Sequence, residues 1–130
     1  MKIAEVIKSA DWKSEKHVPV IEAPATVKAN EKFDVKVCVG KEIAHPNTTE
    51  HHIRWIQLFF KPSDEQVVYE IGKVDFNVHG EAVKGANEGP AHTEPFSSFS
   101  VKLSKSGELI ATSYCNIHGL WESSTAIAVN

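Results

Sequence analysis

The sequence is poor in the residues that define several large classes of protein. It contains two cysteines, one methionine and no basic excess, with a formal net charge of −3. Two cysteines are too few for a disulfide framework, and an acidic chain lacks the basic face that nucleic-acid binding requires. No apolar run approaches the roughly 18 residues of a membrane-spanning helix. Charged residues also interrupt the apolar ones at the N-terminus, so no secretory signal is predicted. We therefore expect a cytoplasmic protein that binds neither nucleic acid nor membrane.

The rest of the composition is typical of one soluble globular domain. Hydrophobic residues make up 42% of the 130 residues and charged residues 24%, both ordinary values. This length is enough to bury one core. No internal repeat, low-complexity tract or long Pro/Gly/Ser linker divides the chain. We therefore predict a single domain over residues 1–130.

Alternating apolar and polar residues predict that most of the chain forms short β-strands. The predicted strands are residues 33–39, 52–60, 67–71, 74–78, 97–103, 109–113 and 121–129. Gly72-Lys73 is predicted to separate a short pair of strands, and residues 104–108 to form a hairpin loop. Residues 2–9 suit one or two helical turns. The pattern favours an all-β fold, an immunoglobulin-like antiparallel β-sandwich with a short N-terminal helical segment.

Histidine is the unusual residue type, with seven copies in the chain. Three polar segments between the predicted strands contain candidate ligands: Glu15-Lys16-His17-Val18-Pro19, the stretch from His45 to His52, and Cys115-Asn116-Ile117-His118. Pro19 favours an extended segment before it, which puts Glu15 and His17 on the same side. A Cys-x-x-His turn presents a thiolate and an imidazole to one metal. A single thiolate among imidazoles indicates copper or iron rather than magnesium or calcium.

Three longer motifs in this order resemble those of the superoxide reductases of the one-iron type, the neelaredoxins. They are EKHVP at residues 15–19, GKEIAHPNTTEHH at residues 40–52 and SYCNIHGLWE at residues 113–122. The resemblance extends over nearly the whole chain. Two-centre members of the family carry four further cysteines in an extra N-terminal domain, and this sequence has none of them. Ala44 replaces a proline that is common before His45.

The resemblance implies a mononuclear iron that reduces superoxide to hydrogen peroxide, with rubredoxin or a similar protein as electron donor and a homotetramer as the assembly. The implied equatorial ligands are His17, His45, His51 and His118. Cys115 would be the axial thiolate, tuned by hydrogen bonds from the backbone of residues 116–119. Glu15 would bind ferric iron at the sixth position. Lys16 would attract the superoxide anion to the open position.

The resemblance also separates the ligands from the other histidines. His51 is the implied ligand of the adjacent pair, so His52 should point the other way along its strand. His79 and His92 are not expected to bind metal. Lys41 and Glu42 are expected to affect only the charge of their loop.

Three alternative functions compete with the reductase. A disulfide-bonded immunoglobulin-like module would use the order Cys38, Trp55, Cys115, but Cys38 shares the polar side of its strand, and cytosolic disulfides are rare. A cupredoxin-like copper carrier would use Cys115 and His118, but such sites usually add an axial methionine and use only two histidines. A superoxide dismutase shares the substrate but must also oxidise it. The resemblance favours the reductase.

Overall fold

Eight β-strands build the structure, a computed structural model that describes residues 1–130. They are β1 (Pro19–Glu22), β2 (Thr26–Val27), β3 (Phe33–Val39), β4 (Ile53–Pro62), β5 (Tyr69–Asp75), β6 (Phe96–Val101), β7 (Gly107–Cys115) and β8 (Gly119–Val129). The predicted N-terminal helical segment is a single 3₁₀ turn, Ile3–Glu5. The all-β prediction is confirmed. None of the helical structure is long and apolar enough to cross a membrane.

The strands form two sheets, with orders β1-β3-β6 and β2-β8-β7-β4-β5. All neighbours are antiparallel except β2 and β8. Alternation along β3 buries Val35 and Val37 completely, whereas Cys38 between Val37 and Val39 is only half-buried. Apolar side chains of both sheets, including Ile56 and Leu58 of β4, pack into one hydrophobic cluster. Removing this apolar surface from water is the main term that holds the sandwich together.

Two predicted connections are wrong. Residues 67–71 and 74–78 do not form a pair, because Tyr69–Asp75 is one continuous strand that contains Gly72. A Cβ atom at Gly72 would lie 2.8 Å from Cε1 of Phe99, so this glycine gives room to a neighbouring ring instead of making a turn. Residues 104–108 are not a hairpin loop either, since β6 pairs with β3 and β7 pairs with β4 and β8. The connection between β6 and β7, residues 102–106, crosses from one sheet to the other.

The sheet pairings bring the three histidine-containing segments to one end of the sandwich. His17 lies just before β1, whose Pro19 pairs with Val39 at the end of β3. His45 follows β3 along the chain. His51 lies just before β4, whose Ile53 pairs with Cys115 at the end of β7. The Cys115–Gly119 pair closes the turn between β7 and β8, and Gly119 has a positive φ of 81° there, a conformation that glycine adopts without strain.

Candidate metal centre

Four side chains from three separate segments converge at this end of the sandwich. The ligand atoms of His17, His45, His51 and Cys115 lie within 4.8 Å of one another. A fifth side chain, His118, lies against them. Its Nδ1 atom is 3.1 Å from Nε2 of His17, 3.2 Å from Nε2 of His51 and 3.8 Å from Sγ of Cys115. We call these five residues the donor cluster.

The spacing of the donor cluster fits a single metal ion. Two nitrogens that each lie about 2.1 Å from a metal, at right angles to one another, are about 3 Å apart. The contacts of His118 with His17 and His51 have this length. The imidazole rings are also turned against each other: those of His17 and His45 make an angle of 77°, and those of His17 and His118 an angle of 61°. Nitrogens and one sulfur in this arrangement are a donor set for copper or iron.

His45 gives independent evidence for a metal. Its Nδ1 lies 2.6 Å from the carbonyl oxygen of Pro46, to which it donates its proton. Its Nε2 is buried and has no hydrogen-bond partner. A buried acceptor without a partner costs about 1–3 kcal/mol. A metal ion in the donor cluster would bind this lone pair, so the residues of the cluster fit a metal ion.

The electrostatics of the metal-free site favour the neutral form of three of the imidazoles, those of His17, His45 and His51. Burial, followed by smaller effects of neighbouring positive charges that include Lys16, lowers the pKa of His45 to about 4. Burial also lowers the pKa of His17 and of His51, with Lys16 again among the charges that lower it further. Neutral imidazole is the form that binds metal. The cluster is therefore ready to accept a cation at neutral pH.

Contacts outside the cluster fix the orientation of His17. Oε1 of Glu15 accepts a hydrogen bond of 2.6 Å from Nδ1 of His17 and one of 3.0 Å from its backbone N–H. The ring of Trp121 stacks on that of His17, with centroids 5.1 Å apart and planes 14° apart. A carboxylate on the outer nitrogen fixes the tautomer and leaves the other nitrogen free to bind metal. Glu15 thus lies on the outer side of His17, outside the donor cluster.

Cys115 is fully buried and its thiol is free. The backbone N–H of His118 donates a hydrogen bond of 3.4 Å to its sulfur, one of the backbone contacts expected from residues 116–119. The turn is further held by Trp121, whose indole N–H donates to the carbonyl oxygen of His118 at 3.3 Å. Cys38 is also free, so the chain contains no disulfide of the immunoglobulin type.

The remaining predicted residues divide between the site and its surroundings. Lys16 is half-buried between Glu15 and His17. His52 points away from the donor cluster and stacks on His79, with centroids 3.5 Å apart, and its Nε2 accepts a 2.9 Å hydrogen bond from Nε of Arg54. His92 pairs by backbone with His79. Lys41 forms an ion pair with Glu22.

Sequence reasoning missed the side-chain contacts that hold the loop of His51. Asn116 was considered only for its backbone, and its side chain bonds to the residues on both sides of His51. Asn116 lies within the Cys-x-x-His motif, which is a usable signal. Asn87 bonds to Thr49 and Glu50 from 38 and 37 residues further along the chain, and no local pattern marks it.

Comparison with known proteins places this chain in one family. The family model described as desulfoferrodoxin matches residues 9–124. Neelaredoxin of Megalodesulfovibrio gigas is 54% identical over 99% of this chain and 99% of the relative. Superoxide reductase of Pyrococcus furiosus is 55% identical over 96% of this chain and 98% of the relative.

Solved structures agree in fold over the same length. The crystal structure of a Thermotoga maritima protein, 60% identical, covers 100% of this chain and 98% of its own, with a TM-score of 0.98. Neelaredoxin, a superoxide reductase of Archaeoglobus fulgidus in its reduced form, is 49% identical and covers 95% of this chain and 98% of its own, with a TM-score of 0.87. The chain belongs to the desulfoferrodoxin family.

Proposed function

We propose that this member of the desulfoferrodoxin family is a superoxide reductase that holds one iron ion in the donor cluster. The proposed ligands are His17, His45, His51, His118 and Cys115. The convergence of four histidine rings and one buried thiol at one end of the sandwich carries the proposal. Iron is preferred over copper because the family relatives are superoxide reductases, and because four imidazoles exceed the two of a blue-copper site.

The reaction consumes one electron and two protons for each superoxide and yields one hydrogen peroxide. A bound iron ion would supply the electron by cycling between its ferrous and ferric states. Cys115 would hold that iron as a thiolate, a ligand that donates electron density to a metal. The N–H of His118 donates a hydrogen bond to this sulfur and would moderate the donation.

Lys16 is proposed to attract the substrate. Superoxide is an anion and the chain has a net charge of −3, so a local positive charge is needed beside the site. Lys16 is among the charges that lower the pKa of three donor-cluster histidines, after burial. The charge of Lys16 therefore acts on the donor cluster, which supports its proposed role in attracting superoxide. Positive charge at a site raises the rate at which an anion arrives.

Glu15 is proposed to have two positions. Its contact with Nδ1 of His17 orients that ring. As a ligand of ferric iron at the sixth position, which the resemblance implies, it would have to turn from the outer side of His17 towards the cluster. That second position stays a prediction.

The reaction also requires an external electron donor, and we propose rubredoxin or a similar small redox protein. We further propose a homotetramer, a cytoplasmic location and no nucleic-acid or membrane partner. The acidic net charge supports the absence of a nucleic-acid partner. Mixing oxidised protein with reduced rubredoxin tests the donor, and sedimentation equilibrium tests the assembly.

The stoichiometry of the reaction tests the function. With a continuous electron supply, a reductase forms one hydrogen peroxide per superoxide and releases no dioxygen. A dismutase forms one hydrogen peroxide and one dioxygen from two superoxide ions. Peroxide and dioxygen are therefore measured together in a calibrated superoxide flux on the iron-loaded protein. A dioxygen yield of half the superoxide consumed would identify a dismutase and contradict the proposal.

A further inference from the structure

The loop that contains His51 is not part of a β-strand. Residues 48–52 connect the region after β3 to the start of β4, and His51 itself is half-buried. Within the loop, Thr48 bonds to both backbone groups of His51: the Thr48 N–H donates to the His51 carbonyl at 3.0 Å, and the Thr48 hydroxyl accepts from the His51 N–H at 3.1 Å. The carbonyl group of Glu50 and the N–H of His52 find their partners outside the loop.

Asn116 supplies these partners from the β7–β8 turn. Its Nδ2 donates to the carbonyl oxygen of Glu50 at 2.9 Å, and its Oδ1 accepts from the N–H of His52 at 2.9 Å. Its own N–H donates to the carbonyl oxygen of His52 at 3.2 Å. Asn116 therefore bonds to the residues before and after His51, while its neighbour Cys115 belongs to the donor cluster.

Asn87 holds the other side of the same loop. Its Oδ1 accepts from the N–H of Thr49 at 2.8 Å, and its N–H donates to the hydroxyl of Thr49 at 3.1 Å. Its Nδ2 lies 2.9 Å from both carboxylate oxygens of Glu50, and this bond is the main cause that lowers the pKa of Glu50. Asn87 has a φ of 64°, a left-handed conformation that asparagine tolerates better than most residues.

We propose that Asn87 and Asn116 are positioning residues that together fix His51 in the donor cluster. Glu50 is the common point, because Asn116 holds its carbonyl group and Asn87 holds its carboxylate. We call this arrangement the Glu50 clamp. The clamp ties the loop of His51 to Asn116 in the β7–β8 turn, next to Cys115, and to Asn87 in the long segment between β5 and β6. The inference rests on the proposed role of His51 as a ligand.

The clamp should control how firmly the protein retains its metal. Groups that orient metal ligands typically change metal affinity by about 10–100-fold when they are removed. Asn116→Ala removes both side-chain bonds beside His51. Asn87→Gly removes the bonds from Oδ1 and Nδ2 but keeps the backbone N–H and tolerates the left-handed conformation. We expect about tenfold faster loss of iron from Asn116→Ala, and a smaller but measurable acceleration from Asn87→Gly.

The experiment measures the rate at which a chelator removes Fe²⁺ from the loaded protein. A second readout is the visible spectrum of the Co²⁺-substituted protein, where a thiolate-to-cobalt band reports Cys115 and the ligand-field bands report the imidazole geometry. Gln57→Ala is the matched control: Gln57 lies in β4 and bonds to the exposed Glu70 at 2.8 Å, away from the cluster. It should leave both readouts unchanged.

A paired exchange separates positioning from general loosening. Asn87→Asp places a carboxylate against that of Glu50 and should speed the loss of iron. Glu50→Gln added to it restores a donor and an acceptor to the pair and should slow the loss again. Urea unfolding of the metal-free variants measures any general loss of stability. A variant that only lowers stability would not move the ligand-field bands.

The outcomes are distinct. Unchanged iron loss and unchanged Co²⁺ spectra in both asparagine variants would overturn the clamp alone, and so would an equal effect of Gln57→Ala. A wild-type Co²⁺ protein without a thiolate band would overturn the proposed ligand set, and the clamp with it.

Discussion

At the scale of single residues, the two cysteines have opposite surroundings. Cys115 is fully buried in the donor cluster, whereas Cys38 lies half-buried in β3. Burial raises the pKa of Cys38, so its thiol stays protonated at neutral pH. Cys38 lies outside the donor cluster, so only the sulfur of Cys115 is placed to bind the metal.

Cys115→Ser should abolish the thiolate-to-iron absorption of the oxidised protein and most of its activity, because a hydroxyl stays protonated and donates weakly. Cys38→Ser should leave both nearly unchanged and cost at most about 1 kcal/mol of unfolding free energy. Visible spectroscopy of the two variants and urea unfolding measure these effects. Loss of the absorption in Cys38→Ser would contradict the ligand assignment.

Lys16→Ala should slow the second-order reaction of the reduced protein with superoxide by roughly 10-fold or more, since a local positive charge guides the anion. The wild-type rate should also fall as salt is added, because screening shortens the reach of that charge. Lys13→Ala is the control, since Lys13 is an exposed lysine of the same segment that lies against Trp12. Pulse radiolysis gives the rates. A salt-independent rate that neither variant changes would show that Lys16 has no steering role.

The residues alone predict the three short segments that hold the donor cluster, and the resemblance of the longer motifs implies which histidines in them are ligands. Cys115 and His118 lie in one turn, and Glu15 and His17 are two residues apart in an extended segment. The Asn87 contact could not be predicted in this way. It joins residues 38 positions apart through two loops without periodic pattern, and only the folded chain brings them together.

At the scale of strands, the alternating pattern predicted β3 with the bounds that the structure has, Phe33–Val39. It is wrong at Gly72, where the glycine predicts a turn but the strand Tyr69–Asp75 continues. Glycine has two uses that sequence cannot separate, a turn and a close approach of another side chain. At Gly72 the ring of Phe99 packs against the backbone, which shows the close approach and not a turn. The alternating pattern also does not show which strands pair, so it predicts a hairpin at residues 104–108, where the chain crosses between the sheets.

Gly107 provides a test of strand packing. A Cβ atom here would clash with the carbonyl oxygen of Lys61 and would lie 2.7 Å from a ring carbon of Phe60. Both atoms belong to the paired strand β4, so Gly107→Ala should separate the strands and cost about 1–3 kcal/mol. Thermal and urea unfolding measure this cost. Glu108→Ala, at the exposed next position, is the control. Equal stability of the two variants would show that β7 and β4 are not packed this closely.

At the scale of the whole molecule, the buried histidines link stability to pH in the metal-free protein. His45 has a pKa of about 4 in the folded chain and about 6.5 when unfolded. The unfolded chain therefore binds more protons below pH 6.5, and stability is lost as the pH falls from about 6.5 to about 4. His17 and His51 act in the same direction.

Between pH 7 and pH 5, His45 alone should lower the unfolding free energy of the metal-free protein by about 2 kcal/mol. Urea unfolding at the two pH values measures the difference. His45→Gln cannot titrate, so its stability should depend less steeply on pH. The same slope in both proteins would mean that His45 does not titrate as its burial predicts.

The location of the metal tests the central claim most directly, because the function, the clamp and the role of each ligand depend on it. A crystal structure of the iron-loaded protein, with anomalous scattering measured at the iron absorption edge, gives this location. We predict one iron per chain, bound by the nitrogens of His17, His45, His51 and His118 and by the sulfur of Cys115. An iron peak beside His52 and His79, or an iron without contact to the sulfur of Cys115, would contradict the account.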